Sequence, residues 1–210
     1  MADDLLAEHG FLVLADISGF TAFVTGTELE HGAEITGVLL ESVMRRLAPP
    51  LEIQELEGDA VFAIGADRMI ADGSALPTVL TGAFVAFKEA QRRLAGDPSC
   101  ACGACRSVPD LDLKVIVHHG RFVRQVVGGR ARVAGPDVIL AHRLLKNPVG
   151  AAAYLLLTES ALERAGVDPF TSGLRRHLVS YPYLGDVPCF VADPESLGQR
   201  PFTGASVRAA

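Results

Sequence analysis

The sequence predicts an α+β fold, with helices packed against a mostly antiparallel sheet. An apolar run over residues 11–15 ends abruptly at Asp16, as a buried strand does. Ile35, Leu39, Val43 and Leu47 recur at helical spacing and mark one buried helix face. Two further apolar runs flank Glu55-Leu56-Glu57-Gly58-Asp59, the pattern of a hairpin with its tip near Gly58.

The elements follow in order. Strand 11–15 leads through Ser18 and Gly19 into a helix over 20–25, with Ser18 near the cap. A second helix spans 33–47 and is stopped by Pro49 and Pro50. Strands 51–54 and 60–64 form the hairpin. A third helix covers 76–94, with Leu80, Phe84, Phe87 and Leu94 on one face. A loop-like insert over 96–110 carries cysteines. Strand 113–118 leads to His119-Gly120, and 122–127 pairs back with it. Gly135 opens a helix over 136–145 that closes before Pro148. Strand 154–157, helix 159–165 and a closing hairpin over 178–183 and 188–192 complete the order β-α-α-β-β-α-β-β-α-β-α-β-β. One domain, residues 1–210, accommodates all of it.

The chain has 210 residues, 49% hydrophobic and 21% charged, enough to bury a core without covalent staples. Its net charge is −6 and it has no long basic run, so non-specific nucleic-acid binding is disfavoured. The start MADDLLAEHG has neither the basic nor the apolar region of a secretory signal, and no apolar run reaches the length of a membrane span. The expected location is cytoplasmic.

The chemistry concentrates at two carboxylates. Asp16 ends the first strand in FLVLADISGFTAF, and Asp59 sits at the hairpin tip in LEGDAVFAI. In a βααββ arrangement the first strand lies beside that hairpin, so the carboxylates converge. Paired hard oxygens suit Mg²⁺ or Mn²⁺. The helix opening at Ile17-Ser18-Gly19-Phe20 offers backbone N–H groups to a polyphosphate. Read without that geometry, both aspartates are turn residues at strand ends.

These segments resemble the class III nucleotidyl cyclases. ADISGFT is similar to their first-aspartate motif and EGDAVFAIG to their second; VHHGRFVRQVVGG resembles their strand-turn-strand, and GPDVILAHRLL the helix with the pattern G-x-x-V-N-x-A-A-R-L. The four blocks follow the family order from about Phe11 to Leu145. The sequence is most similar to a cyclase-like family of unknown function that carries the same C-x-C-x-x-C insert. The resemblance implies a ferredoxin-like core with cyclase topology and a head-to-tail homodimer whose nucleotide sites lie at the interface. It implies a two-ion Mg or Mn site at Asp16 and Asp59, assisted by the carbonyl of Ile17. It also implies phosphate contacts from the backbone of Ser18, Gly19 and Phe20, and a transition-state arginine at Arg143 supplied by the partner. Without a partner, Arg143 is a surface arginine.

The sequence departs from the family pattern in four places. Ile139 stands where the resemblance puts a ribose-positioning asparagine, and an isoleucine side chain makes no hydrogen bond. Glu55 and Arg132 replace the adenine-reading lysine and aspartate, and Leu184 falls at the triphosphate-binding lysine. Two readings follow. Glu55 accepts from guanine while Arg132 donates to its O6, or the site has drifted and Glu55 with Glu57 repels a triphosphate.

Cys100, Cys102 and Cys105 lie within six residues. Their spacing suits a zinc clip, with a fourth ligand from His118, His119, His142, Cys189 or a partner chain. A redox switch or plain reduced thiols are the alternatives. Of His118 and His119, one faces the core and packs there. The functions this supports are a divergent cyclase-like homodimer that senses a nucleotide or other small molecule, an active metal-dependent cyclase of non-adenine specificity, or a zinc-ordered dimeric scaffold.

Overall fold

The first strand is longer than its apolar run. In the computed structural model, which describes residues 6–70, 72–96, 99–100 and 102–194, β1 spans Ala7–Ser18. Its polar ends are held by β4, Asp112–Val127, along a ladder from Ala7 opposite Val123 to Ser18 opposite Asp112. A backbone ladder supports strand residues that local hydrophobicity does not mark. Helices α1 (Phe20–Gly26) and α2 (Leu29–Leu47) follow, then the hairpin of β2 (Glu52–Glu57) and β3 (Ala60–Ala66). Helix α3 (Leu76–Ala95) leads to the insert, which contains the short helix α4 (Gly103–Ser107) and a 3-10 turn at Val108–Asp110. The chain continues through β4, β5 (Arg130–Ala134), α5 (Pro136–Leu144), β6 (Tyr154–Thr158), α6 (Glu159–Ala165) and the hairpin of β7 (Arg175–Tyr181) and β8 (Gly185–Ala192).

The sheet order is β2-β3-β1-β4-β6-β8-β7, with β5 paired to the far half of β4. Only the β4–β6 pairing is parallel. Alternation along β1 divides the core. Phe11, Val13, Ala15 and Ile17 face the layer of α2, α3 and α6, while Leu12 and Leu14 face α5 with Phe62, Ile64 and Ile116. Asp16 continues the second series and so points to the face that α5 covers.

Several boundaries and one cap differ from the sequence reading. The segments 113–118 and 122–127 do not pair with each other. They are one strand running through Gly120, and the partner of its far half is β5, reached through Gly128 and Gly129 at φ 59° and 77°. The signal for a turn at Gly120 came from glycine, yet this glycine serves close packing: a β-carbon there would lie 2.5 Å from the Asp137 carboxylate. Helix α2 starts four residues before the predicted boundary and takes in His31. Helix α1 is capped by Gly19 in the left-handed region at φ 84°, not by the Ser18 side chain. A β-carbon on Gly19 would also stand 2.9 Å from the Asp110 carbonyl oxygen, so glycine is required twice over.

Candidate functional site

Asp16 and Asp59 meet at one end of adjacent strands. Asp16 stands opposite Ala60 in the ladder, and the Ile17 N–H donates to the Asp59 carbonyl at 3.2 Å. The Asp59 carboxyl is half-buried, and its pKa is raised by that burial first and by the like charge of Asp16 second. Lys114, opposite Asp16 on β4, opposes that rise, and its Nζ lies 2.7 Å from Asp16 Oδ2. The Ile17 side chain is buried in the helix-side core, which leaves its backbone alone facing the site. Ser18 is half-buried, Gly19 exposed, and Phe20 packs its ring against that same core.

Glu55 reaches the site face through an irregularity in β2. The register slips between Ile53 and Glu55, so Ile53 packs into the helix-side core while Glu55 stands opposite Phe62, on the α5 side. The same slip aligns Glu52, Glu55 and Glu57 on one face, where each meets a cationic or titratable partner. Glu52 binds Arg124 at 2.9 Å, Glu55 binds Arg132 at 3.0 Å, and Glu57 lies 3.4 Å from His142. The β4–β5 arm thus leans over β2, and Glu55 and Arg132, the two departures from adenine reading, are each other's ion partners within one chain. Ile139 and Arg143, one helical turn apart, are both exposed on α5, Ile139 at 56%. Leu184 is half-buried in the β7–β8 turn and packs against the second core cluster.

The three insert cysteines gather around His31 from the first turn of α2. The Cys102 Sγ, Cys100 Sγ and Cys105 Sγ lie 3.1, 3.7 and 3.8 Å from His31 Nδ1. One ligand atom from each of the four residues falls within 4.8 Å of all the others, a group that could hold a metal ion. The fourth-ligand candidates named from sequence lie elsewhere. Cys189 is buried in β8, where burial raises its thiol to about 12, and His142 packs on Phe62, both on the α5 face. His118 donates to or accepts from Thr158 Oγ1 at 3.0 Å, and burial lowers its pKa against the nearby Asp137 charge. His119 pairs with Asp67 at 3.2 Å, beside Arg164. The insert packs on the opposite side of the sheet from α5 and from the Cys189 side chain, which is why neither His142 nor Cys189 reaches it.

The family model described as "Protein of unknown function (DUF2652)" matches residues 36–154, more than half the chain. The chain belongs to this family. The matched span contains Asp59, Cys100, Cys102, Cys105, Arg132 and Arg143, while Asp16 and His31 precede it. An uncharacterized protein of Mycobacterium tuberculosis, Rv2561/Rv2562, is 33% identical over 123 residues, 58% of this chain and 56% of that protein. The match therefore spans little more than half of that relative. Among solved structures, the guanylyl cyclase Cya2 superposes with a TM-score of 0.72 at 15% identity, over 89% of this chain and 92% of its own. The adenylyl cyclase CyaB from P. aeruginosa gives 0.70 at 15% identity, over 96% and 100%. A class III adenylyl cyclase-like ATP-binding protein from Pseudomonas aeruginosa gives 0.60 at 18% identity, over 75% and 35%. The family member described here thus has the class III nucleotidyl cyclase fold: α+β, with helices on a mostly antiparallel sheet. No described helix is long and apolar enough to cross a membrane.

Two residues of the site were not visible in the sequence reading. Lys114 stands as a lone cation in the apolar strand LDLKVIV, a local signal that a charged partner waits on the neighbouring strand. His31 gives no such signal, because it lies 69 residues before the first cysteine of the group.

Proposed function

We propose that this chain is a divergent class III cyclase-type domain that binds a divalent cation with a nucleoside triphosphate or similar phosphorylated small molecule, and that its cyclase turnover is weak or absent. The observation that carries the reading is the convergence of Asp16 and Asp59 beside the opening of α1, set against an exposed Ile139 on α5. The two carboxylates would hold Mg²⁺ or Mn²⁺, assisted by the Ile17 carbonyl, and the ion would screen the phosphate charge. The backbone at Ser18, Gly19 and Phe20 would meet the phosphates, since the first N–H groups of a helix lack intrahelical acceptors. Loss of a positioning hydrogen bond at Ile139 and of a cation at Leu184 removes orientation from the reacting groups, which favours binding over turnover.

A homodimer fits the surface. Val126 and Val127 at the β4–β5 tip, Ile139 on α5 and Tyr183 in the β7–β8 turn are all exposed. A second copy over these positions would bring its Arg143 towards the aspartates. The expected setting is cytoplasmic, and the insert cysteines are the expected seat of zinc. The second reading, an active cyclase selective for guanine, draws on the Glu55–Arg132 contact, because a carboxylate beside a guanidinium matches the donors and acceptor of that base. In the third reading, a zinc-ordered dimeric scaffold, the aspartates have no ligand.

Incubation with each common nucleoside triphosphate and Mn²⁺, read for cyclic product and separately for binding, tests the proposal. The expected result is saturable binding that Asp59→Ala abolishes, with little or no cyclic product. Robust product lost in Asp59→Ala would establish the active enzyme instead, and absence of both would leave the scaffold.

A further inference from the structure

We infer that His31 completes a closed zinc site with Cys100, Cys102 and Cys105, and that this ion staples the start of α2 to the insert and so fixes the turn at Gly19 between β1 and α1. The inference rests on the zinc expected at the insert cysteines, and it adds the fourth ligand and the purpose of the site.

Geometry supports the ion. A tetrahedral zinc with Zn–S of about 2.3 Å and Zn–N of about 2.0–2.1 Å sets its ligands about 3.6–3.8 Å apart. Cys100 and Cys105 already stand at 3.7 and 3.8 Å from His31 Nδ1, and Cys102 at 3.1 Å needs to open by about half an ångström. Three thiolates and one imidazole fill four positions and leave none for substrate, the arrangement of a structural site rather than a catalytic one. On binding, each coordinating thiol releases its proton to solvent, and His31 binds as neutral imidazole.

The surroundings are arranged for such an ion. The Cys105 N–H donates to Cys102 Sγ at 3.4 Å, a contact that supports a thiolate. Glu28, the residue that caps α2, accepts from the N–H groups of Gly103 and Ala104 at 3.0 and 2.9 Å. A β-carbon on Gly103 would stand 3.2 Å from that carboxylate, so the approach is tight. The insert and the α2 start are thus joined twice, by Glu28 and by the His31 group.

From this junction a short path leads to the candidate nucleotide site. The insert continues through Val108–Asp110, where buried Gln91 donates to the Val108 carbonyl at 3.0 Å. The Asp110 carbonyl backs Gly19, and Asp112 then pairs with Ser18 in the sheet. An ion holding the insert against α2 therefore restrains both walls of the turn at Gly19.

The test uses the full chain, purified without chelator under reducing conditions and reconstituted anaerobically with Zn²⁺. Elemental analysis should find one zinc per chain. His31→Ala should weaken zinc at least tenfold in competition with a chromophoric chelator, and His31→Cys should restore it. Cobalt substitution should give a tetrahedral spectrum that changes between the wild type and His31→Cys. Removing zinc should speed amide exchange at residues 19–23, while β6 stays protected. Absence of zinc from the wild type, or iron in its place, would overturn both the zinc expectation and this inference. Zinc bound equally by His31→Ala would overturn the role of His31 alone. Unchanged exchange at 19–23 on zinc removal would overturn the link to the loop. None of these outcomes depends on the aspartates binding anything.

Discussion

Lys114 pairs with the carboxylate a divalent cation would claim, so replacing it with methionine should tighten cation binding. Its Nζ is 2.7 Å from Asp16 Oδ2, with side-chain exposures of 22% and 14%. A cation seated at about 2.1 Å from that oxygen would stand about 4 Å from the ammonium. Two unit charges at that distance in water repel by about 1 kcal/mol, hence about 2 kcal/mol for a divalent ion, and the lower polarity of a part-buried site raises this. A lysine that swings outward relieves some of the repulsion, so the water value is the reasonable expectation. It corresponds to roughly thirtyfold in affinity. Methionine keeps the packing of the stem and removes only the charge. The assay is Mn²⁺ titration by electron paramagnetic resonance on protein already saturated with Zn²⁺, so that the cysteines do not contribute. Lys114→Met should bind Mn²⁺ tighter by at least about tenfold, and Lys114→Met with Asp59→Asn should not bind it measurably. Equal or weaker binding in Lys114→Met would mean that the ammonium does not guard the cation position, and would refute the reasoning.

Burial and the Asp16 charge raise the Asp59 pKa, so Asp59 favours folding when protonated, and that contribution is lost as pH rises through its folded value. Without divalent cations at neutral pH, Asp59→Asn should therefore raise Tm modestly, because the neutral amide carries no like charge beside Asp16. The gain should shrink towards acid pH, and a variant no more stable than the wild type at neutral pH would contradict it. Gly120→Ala should destabilise by about 2 kcal/mol, because its β-carbon would overlap the Asp137 carboxylate that accepts from the Arg121 N–H at 2.6 Å. Gly37→Ala, in an open position of α2, should be neutral or stabilising in the same denaturant titration.

Much of the fold was legible in the sequence because its signals are local. Periodic apolar residues located α2 and α3, apolar runs located β3 and β6, and the prolines after residue 47 stopped α2 within a residue. The motifs around Asp16 and Asp59 carried the topology as well. Where the reading erred, a long-range ladder overrode the local pattern: β1 extends through polar Glu8 and His9, and β4 runs straight through Gly120.

The sequence by itself determined the α+β class, most of the element order and the two acidic residues at strand ends, since each depends on residues close together in the chain. Tertiary structure alone decided which charges meet. The register slip in β2 turned Glu55 to the α5 face and into contact with Arg132, strand pairing set Lys114 against Asp16, and the packing of the insert on α2 brought His31 to the thiols. Such contacts arise from register and layer packing, and a residue type carries no record of what lies opposite it across a sheet or at the far end of a loop.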